Sequence, residues 1–183
     1  MKHAITSLLL LTMGTFAFSQ ENRISLSYGY PIANIEEVDE NGAGWRLNLL
    51  YEFTPMDTKI SHGLSFGYIG FGADITEGLY TGSVDVDAWP IYYAPKFSFG
   101  SDKFKGFIKG ALGWQFSKIK YSGNVIGVED NDSGFAGGAG AGGMYFIKEN
   151  LFLNLEYEFL WLSNSFYRDE ALNTVSIGLG IQF

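Results

Sequence analysis

Several stretches of this chain carry residue types whose spacing could do chemistry. Gly138-Ala-Gly140-Ala-Gly-Gly143 satisfies the glycine pattern of a dinucleotide site, and Glu158 lies beyond it where an acid could meet a ribose. That chemistry needs a helix whose N-terminus faces the pyrophosphate. The residues that follow, Met144-Tyr-Phe-Ile147, continue in strand alternation, so a glycine-rich wall strand is the better account and no cofactor is expected. Glu129-Asp-Asn-Asp-Ser-Gly134 has the carboxylate density of a calcium loop, but neither the ligand spacing nor a closing Glu. No metal site is expected there. His62 is the single histidine beyond residue 19, and no nucleophile can be assigned to it from sequence. We therefore expect no catalytic residue and no enzyme.

A different grouping emerges from alternation. Arg23, Arg46 and Lys109 fall in phase with glycine, serine, alanine and asparagine, as do Glu52, Glu156 and Glu158. Side chains two apart on a strand share a face. Buried charge is costly unless paired, so these residues are expected to form an ion-pair and hydrogen-bond network inside the fold. The competing reading is a narrow polar pore lined by the same side chains.

The elements that must position them follow from the same period of two. Val175, Ile177, Leu179, Ile181 and Phe183 alternate with Ser176, Gly178, Gly180 and Gln182. Residues 151–161 do the same, with Leu151, Leu153, Leu155, Tyr157, Phe159 and Trp161 against Phe152, Asn154, Glu156 and Glu158. Strands are also predicted over 23–30, 45–53, 61–73, 84–99, 104–121 and 134–147. In the third of the chain-ordered strands Ile69 and Phe71 break the phase set by Leu64, Phe66 and Tyr68, which suggests a bulge near Gly70 or Gly72. Pro90 and Pro95 interrupt the fourth. Polar stretches at 31–44, 74–82, 122–133 and 162–172 read as long loops, and those at 54–59, 100–103 and 148–150 as short turns.

Volume decides which face points outward. Five or six large side chains on each strand make roughly forty, and the interior of an eight-stranded barrel is just wide enough for ordinary side chains or one small ligand. The bulky phase must face out, and an outward apolar band needs lipid around it. A soluble ligand-binding barrel is disfavoured on this ground. The fold expected is all-β, an eight-stranded antiparallel up-and-down transmembrane β-barrel over residues 20–183. Aromatic residues near strand ends (Tyr28, Tyr30, Trp45, Phe53, Phe97, Phe99, Trp161, Phe183) suit interfacial girdles.

Residues 1–19 read as a secretory signal peptide. Lys2 and His3 open it, an apolar run from Ile5 to Phe18 follows, and Ala17 and Ser19 stand at −3 and −1 of a cut before Gln20. That run is shorter than the ~20 residues of a membrane-spanning helix. The chain has no cysteine, which excludes disulfides, thiolate metal sites and a lipidated cysteine anchor.

The formal net charge is −8. Glu36, Glu37, Asp39, Glu40, Asp74, Glu77, Glu129, Asp130, Asp132, Asp169 and Glu170 fall in the predicted long loops, with Arg168 the one firm base among them. Such a field disfavours nucleic acid. It permits bridging to lipopolysaccharide through divalent cations.

The terminal Phe183 resembles the C-terminal strand of bacterial outer-membrane barrels, in which a final Phe belongs to the signal read by the insertion machinery. Gly140-Ala-Gly-Gly-Met-Tyr145, Lys148-Glu-Asn-Leu151 and Leu155-Glu-Tyr157 resemble the penultimate hairpin of the small eight-stranded porin-family and outer membrane protein A/X-like barrels, Bacteroidota type. The resemblance implies export to the outer membrane of a Gram-negative cell and contact with outer-membrane lipid and lipopolysaccharide. The motifs say little about activity; the role expected is structural or surface-interaction, in envelope integrity or adhesion through the acidic loops, and a monomer is expected. A narrow channel for ions or very small solutes is the alternative.

Overall fold

A computed structural model of the protein describes residues 20–35, 41–56, 58–77, 80–123, 128–163 and 167–183. The signal segment 1–19 lies outside the described residues, as do Glu36, Glu37, Asp39 and Glu40 and the side chains of Asp74, Glu77, Arg168, Asp169 and Glu170. Eight strands run in chain order: β1 (Gln20–Ile35), β2 (Asn41–Pro55), β3 (Ile60–Glu77), β4 (Tyr80–Gly100), β5 (Phe104–Gly123), β6 (Val128–Lys148), β7 (Leu151–Leu162) and β8 (Tyr167–Gln182). Each pairs antiparallel with its neighbour in sequence and β8 pairs with β1, which closes the barrel. Closure gives the backbone hydrogen-bonding groups partners within the sheet, the condition for strands to exist in hydrocarbon.

The side chains are sorted as volume requires. Along β7 the burial alternates without a break: Leu153, Leu155, Tyr157, Phe159 and Trp161 stand out while Phe152, Asn154, Glu156, Glu158 and Leu160 point in. Leu155 and Ile177 are each 59% exposed, whereas Glu158 is 2% exposed. In water this arrangement would be inverted. Hydrocarbon around the barrel removes the contradiction.

The outward apolar face ends along a row of aromatics. Trp45, Tyr68, Trp89, Phe116, Phe135 and Trp161 mark it, with ring centroids 4.9 Å apart for Trp45–Tyr68, 5.7 Å for Tyr68–Trp89 and 6.2 Å for Phe135–Trp161. Next outward come Asp85, Asp87, Lys118 and Lys120, with Tyr68 donating to Asp87 at 2.5 Å. Rings with a polar tip at such a boundary set the depth of a barrel in its membrane.

Beyond that row the structure departs from the sequence reading. The polar stretches expected to be long loops are largely strand. β4 and β6 each run 21 residues and β5 runs 20, where about 9–11 tilted residues cross a membrane. The strands leave only 36–40, 78–79, 124–127 and 163–166 between them at this end, so the long loops expected are largely replaced by strands that continue the ladder. Backbone pairing does not require an apolar face. Once the strand leaves lipid, its outward side chains turn polar and the alternation signal fades while the ladder persists.

Two further expectations are corrected. β3 has no bulge near Gly70 or Gly72: its register with β2 and with β4 is unbroken, and Ile69 and Phe71 point inward as buried residues. Pro90 and Pro95 do not disturb β4, whose register with β5 is the same on either side of them. Gly67 and Gly110 on the flanking strands make room, since a Cβ there would approach the proline rings at 2.8 and 3.3 Å. Register shifts occur instead between Ala33 and Ile35 and between Phe146 and Lys148.

Leu155 lies midway along β7 on the outward face, so Leu155→Arg should lower folding stability in lipid by about 2–4 kcal/mol. Reversible denaturation in bilayers measures this, and the same substitution at the exposed Met56 in the turn after β2 should change little.

Candidate functional site

Among the described residues, buried charge gathers in the lumen. Its central layer draws one or two side chains from each of five strands: Arg46 from β2, Tyr92 from β4, Lys109 from β5, Glu156 and Glu158 from β7, and Thr174 from β8. Arg46 donates through Nη1 to Glu158 Oε1 at 2.5 Å and through Nη2 to the Tyr92 hydroxyl at 2.7 Å. That hydroxyl in turn donates to Glu158 Oε2 at 2.9 Å. Lys109 bridges Glu156 and Glu158, and Thr174 accepts a longer bond from Arg46 at 3.4 Å. Two cations face two carboxylates, all nearly free of solvent, so the layer is neutral as burial demands.

The glycine-rich strand makes this layer possible. A Cβ at Gly140 would sit 3.2 Å from Glu156 Oε1 and 3.4 Å from Lys109 Cε, and one at Gly142 would meet the Phe107 ring at 2.6 Å. The glycines that imitate a dinucleotide loop are a wall of β6, thinned where the lumen is most crowded.

A second pair lies closer to the mouth at which β1 begins and β8 ends. Lys96 meets Glu52 at 2.7 Å, Ser61 donates to the same carboxylate at 2.9 Å, and the Lys96 ammonium stands 4.5 Å from the Phe107 ring centroid. Arg23 is at that mouth, bonded to Glu21 at 2.7 Å and to Gln182 at 3.0 Å. Of the six residues grouped from sequence, Arg46, Lys109, Glu156 and Glu158 converge. Glu52 and Arg23 do not join them. Lys96 and Tyr92 were missed, although counting in twos from Pro90 places both inward.

Small and polar groups such as Ser25, Ser27, Asn48, Ser65, Gln115, Ser117 and Asn154 fill part of the remaining lumen, as the inward phase implied, but two apolar clusters share it. Toward the end opposite the one where β1 begins, Ile69, Phe71, Val84, Val86, Ile119, Leu160, Leu162 and Leu172 form a buried cluster above the ion layer. Toward the other end Phe107, Met144, Phe146 and Phe152 form a smaller one. The space left beside Arg46, Glu156 and Glu158 is about 10 Å³, one water and no more.

His62 points outward. Its Nδ1 lies 2.5 Å from the Tyr93 hydroxyl and its ring stacks between Phe53 and Tyr93, at 5.2 and 6.0 Å. It belongs to the aromatic face, away from the lumen. Glu129 and Asp130 are on the paired outer end of β6, where Lys118 meets Glu129. Phe183 is held by backbone bonds to Asn22 in both directions, at 2.9 and 3.0 Å, and its ring is exposed.

A family model for the outer membrane protein beta-barrel domain matches residues 4–183. The chain belongs to this family. No curated protein matches it in sequence. Among solved structures it is similar to Ail, the attachment invasion locus protein of Yersinia pestis, at 20% identity and a TM-score of 0.61, over 91% of this chain and 100% of that one. It is also similar to Neisserial surface protein A, at 10% identity and TM-score 0.58 over 88% and 97% of the two chains. The outer membrane protein OprG from Pseudomonas aeruginosa follows at 13% and 0.57, over 90% and 96%. At these identities the likeness is one of fold. Membership places the protein among outer-membrane barrels, as the resemblance carried by Phe183 and the 140–157 hairpin implied.

Removing one partner of a buried pair leaves an uncompensated charge. Lys96→Met should cost about 3–5 kcal/mol, and Glu52→Gln added to it should recover much of that loss. Glu21→Gln, at the exposed end of its pair, should cost under ~1 kcal/mol. A double-mutant cycle on denaturation midpoints checks all three.

Proposed function

We propose that this protein is a structural and surface-interaction barrel of the outer membrane, without catalysis, exported by residues 1–19 as a signal peptide. Its acidic outer hairpins would serve adhesion or envelope integrity, in contact with outer-membrane lipid and lipopolysaccharide. Phe183 would serve as the mark read by the insertion machinery, and the barrel would work as a monomer. The observation that carries this reading is the filled lumen. An apolar plug lies over a neutral ion layer, so the interior network of Arg46, Glu52, Lys96, Lys109, Glu156 and Glu158 is a scaffold for the wall. A conducting path needs polar groups and water along its whole length.

The ladders extended past the aromatic row support the surface role, since they hold polar hairpins clear of the lipid. Attachment in the name of Ail, a barrel of similar fold, agrees with it. The acids on these hairpins argue against nucleic acid as a partner.

Two measurements test the reading. Purified protein in planar bilayers should give no steady single-channel current. Cells carrying a variant with 120–131 replaced by a two-residue turn should keep a folded, heat-modifiable barrel and lose attachment to surfaces or gain detergent sensitivity. A reproducible conductance in the unaltered protein, with neither phenotype in the trimmed variant, would reinstate the narrow channel.

A further inference from the structure

The mouth at which β1 begins and β8 ends is unlike the rest of the lumen. It opens into a cavity of about 520 Å³, within the ~300–1,000 Å³ usual for small-molecule sites. Arg23, Lys59 and Lys105 line it, drawn from β1, the turn before β3 and the start of β5. Among the described residues Glu21 is the one carboxylate of the lining, and it is already bonded to Arg23. Lys59 and Lys105 have no carboxylate partner among the described residues. The Lys105 ammonium lies 5.2 Å from the Phe146 ring centroid instead.

Unmet hydrogen-bonding groups of the lining tell the same story. Arg23 Nη1, Thr54 Oγ1 and Ser98 Oγ make no hydrogen bond within the protein, and Arg23 is only 3% exposed. Buried donors left unmet are costly, and native folds satisfy nearly all of them. Elsewhere in this lumen charge is matched: Arg46 and Lys109 against Glu156 and Glu158, Lys96 against Glu52. At this mouth positive charge and unmet donors accumulate together, around a space large enough to admit a ligand.

We propose that this mouth is a binding site for an oxyanion, a phosphate or carboxylate group that enters from the side where β1 begins and β8 ends. Such a group supplies the acceptors that Arg23, Thr54 and Ser98 lack and the counter-charge that Lys59 and Lys105 lack. A neutral sugar would leave the excess charge unanswered, and a cation would add to it. Charge-assisted bonds to a guanidinium and two ammonium groups are the strong kind. The plugged lumen above makes the site a blind pocket, so binding here has no transport consequence.

The test uses the full barrel refolded in a non-ionic detergent, in buffer free of phosphate and carboxylate. Inorganic phosphate and acetate are titrated separately while backbone amide shifts are followed at Ser61, Ser98 and Lys105. Saturable shifts with either anion are expected. Lys59→Gln with Lys105→Gln, both on the accessible rim, should weaken binding by about tenfold or more while heat-modifiable gel migration stays unchanged. Lys120→Gln at the opposite end should leave binding as it was. Competition by phosphatidylglycerol doped into the micelles would assign the group to a lipid headgroup, and its failure to compete would assign it to a soluble anion. Absence of saturable binding of both anions, or equal binding by the rim variant, would overturn the proposal.

Discussion

The narrowness of an eight-stranded lumen is the constraint on which the structure depends. Eight strands enclose room for one set of side chains, and this chain carries many more large ones than that set can hold. Leucines, tyrosines and tryptophans are therefore turned outward, and only hydrocarbon can solvate them. The lumen receives what remains, and in its central layer that filling is close-packed and electrically neutral. The glycines of β6 follow directly: a Cβ at Gly142 would collide with the Phe107 ring, and one at Gly140 would press on Glu156 and Lys109.

Within that space two kinds of filling divide the axis. The central charges cost more to bury than an apolar filling would, and such layers often contribute little net stability. Their geometry is restrictive, however. Arg46 reaches Glu158 and Tyr92 at once only if β2, β4 and β7 are each in register. A slip by one residue would turn every inward side chain toward lipid. The apolar cluster above lacks such paired donors and acceptors, and it fills the lumen by volume.

Much of this was legible in the sequence wherever one face met lipid. β7 and β8 alternate so strictly that their faces, and the inward place of Glu156 and Glu158, could be assigned by counting. The reading failed where the environment changed along a strand. Ile69 and Phe71 looked like a broken phase because they leave the lipid-facing pattern, when the phase in fact continues and an inward apolar plug begins. Lys96 and Tyr92 were hidden by the prolines beside them, since a proline in a strand ordinarily argues against regular pairing. The polar stretches at 74–82 and 122–133 read as loops because outside the membrane a strand need not show an apolar face. Pairing of Lys96 with Glu52, and separation of Arg23 from the central layer, depend on strand stagger, which alternation does not encode.

The central claim is that hydrocarbon is the solvent of the outward face. All four tryptophans, Trp45, Trp89, Trp114 and Trp161, are on that face. Their fluorescence in bilayers whose acyl chains carry bromine tests it most directly. Strong quenching by brominated lipid, with blue-shifted emission and little access for aqueous acrylamide, is the predicted result. Emission untouched by brominated chains and readily quenched by acrylamide would contradict it.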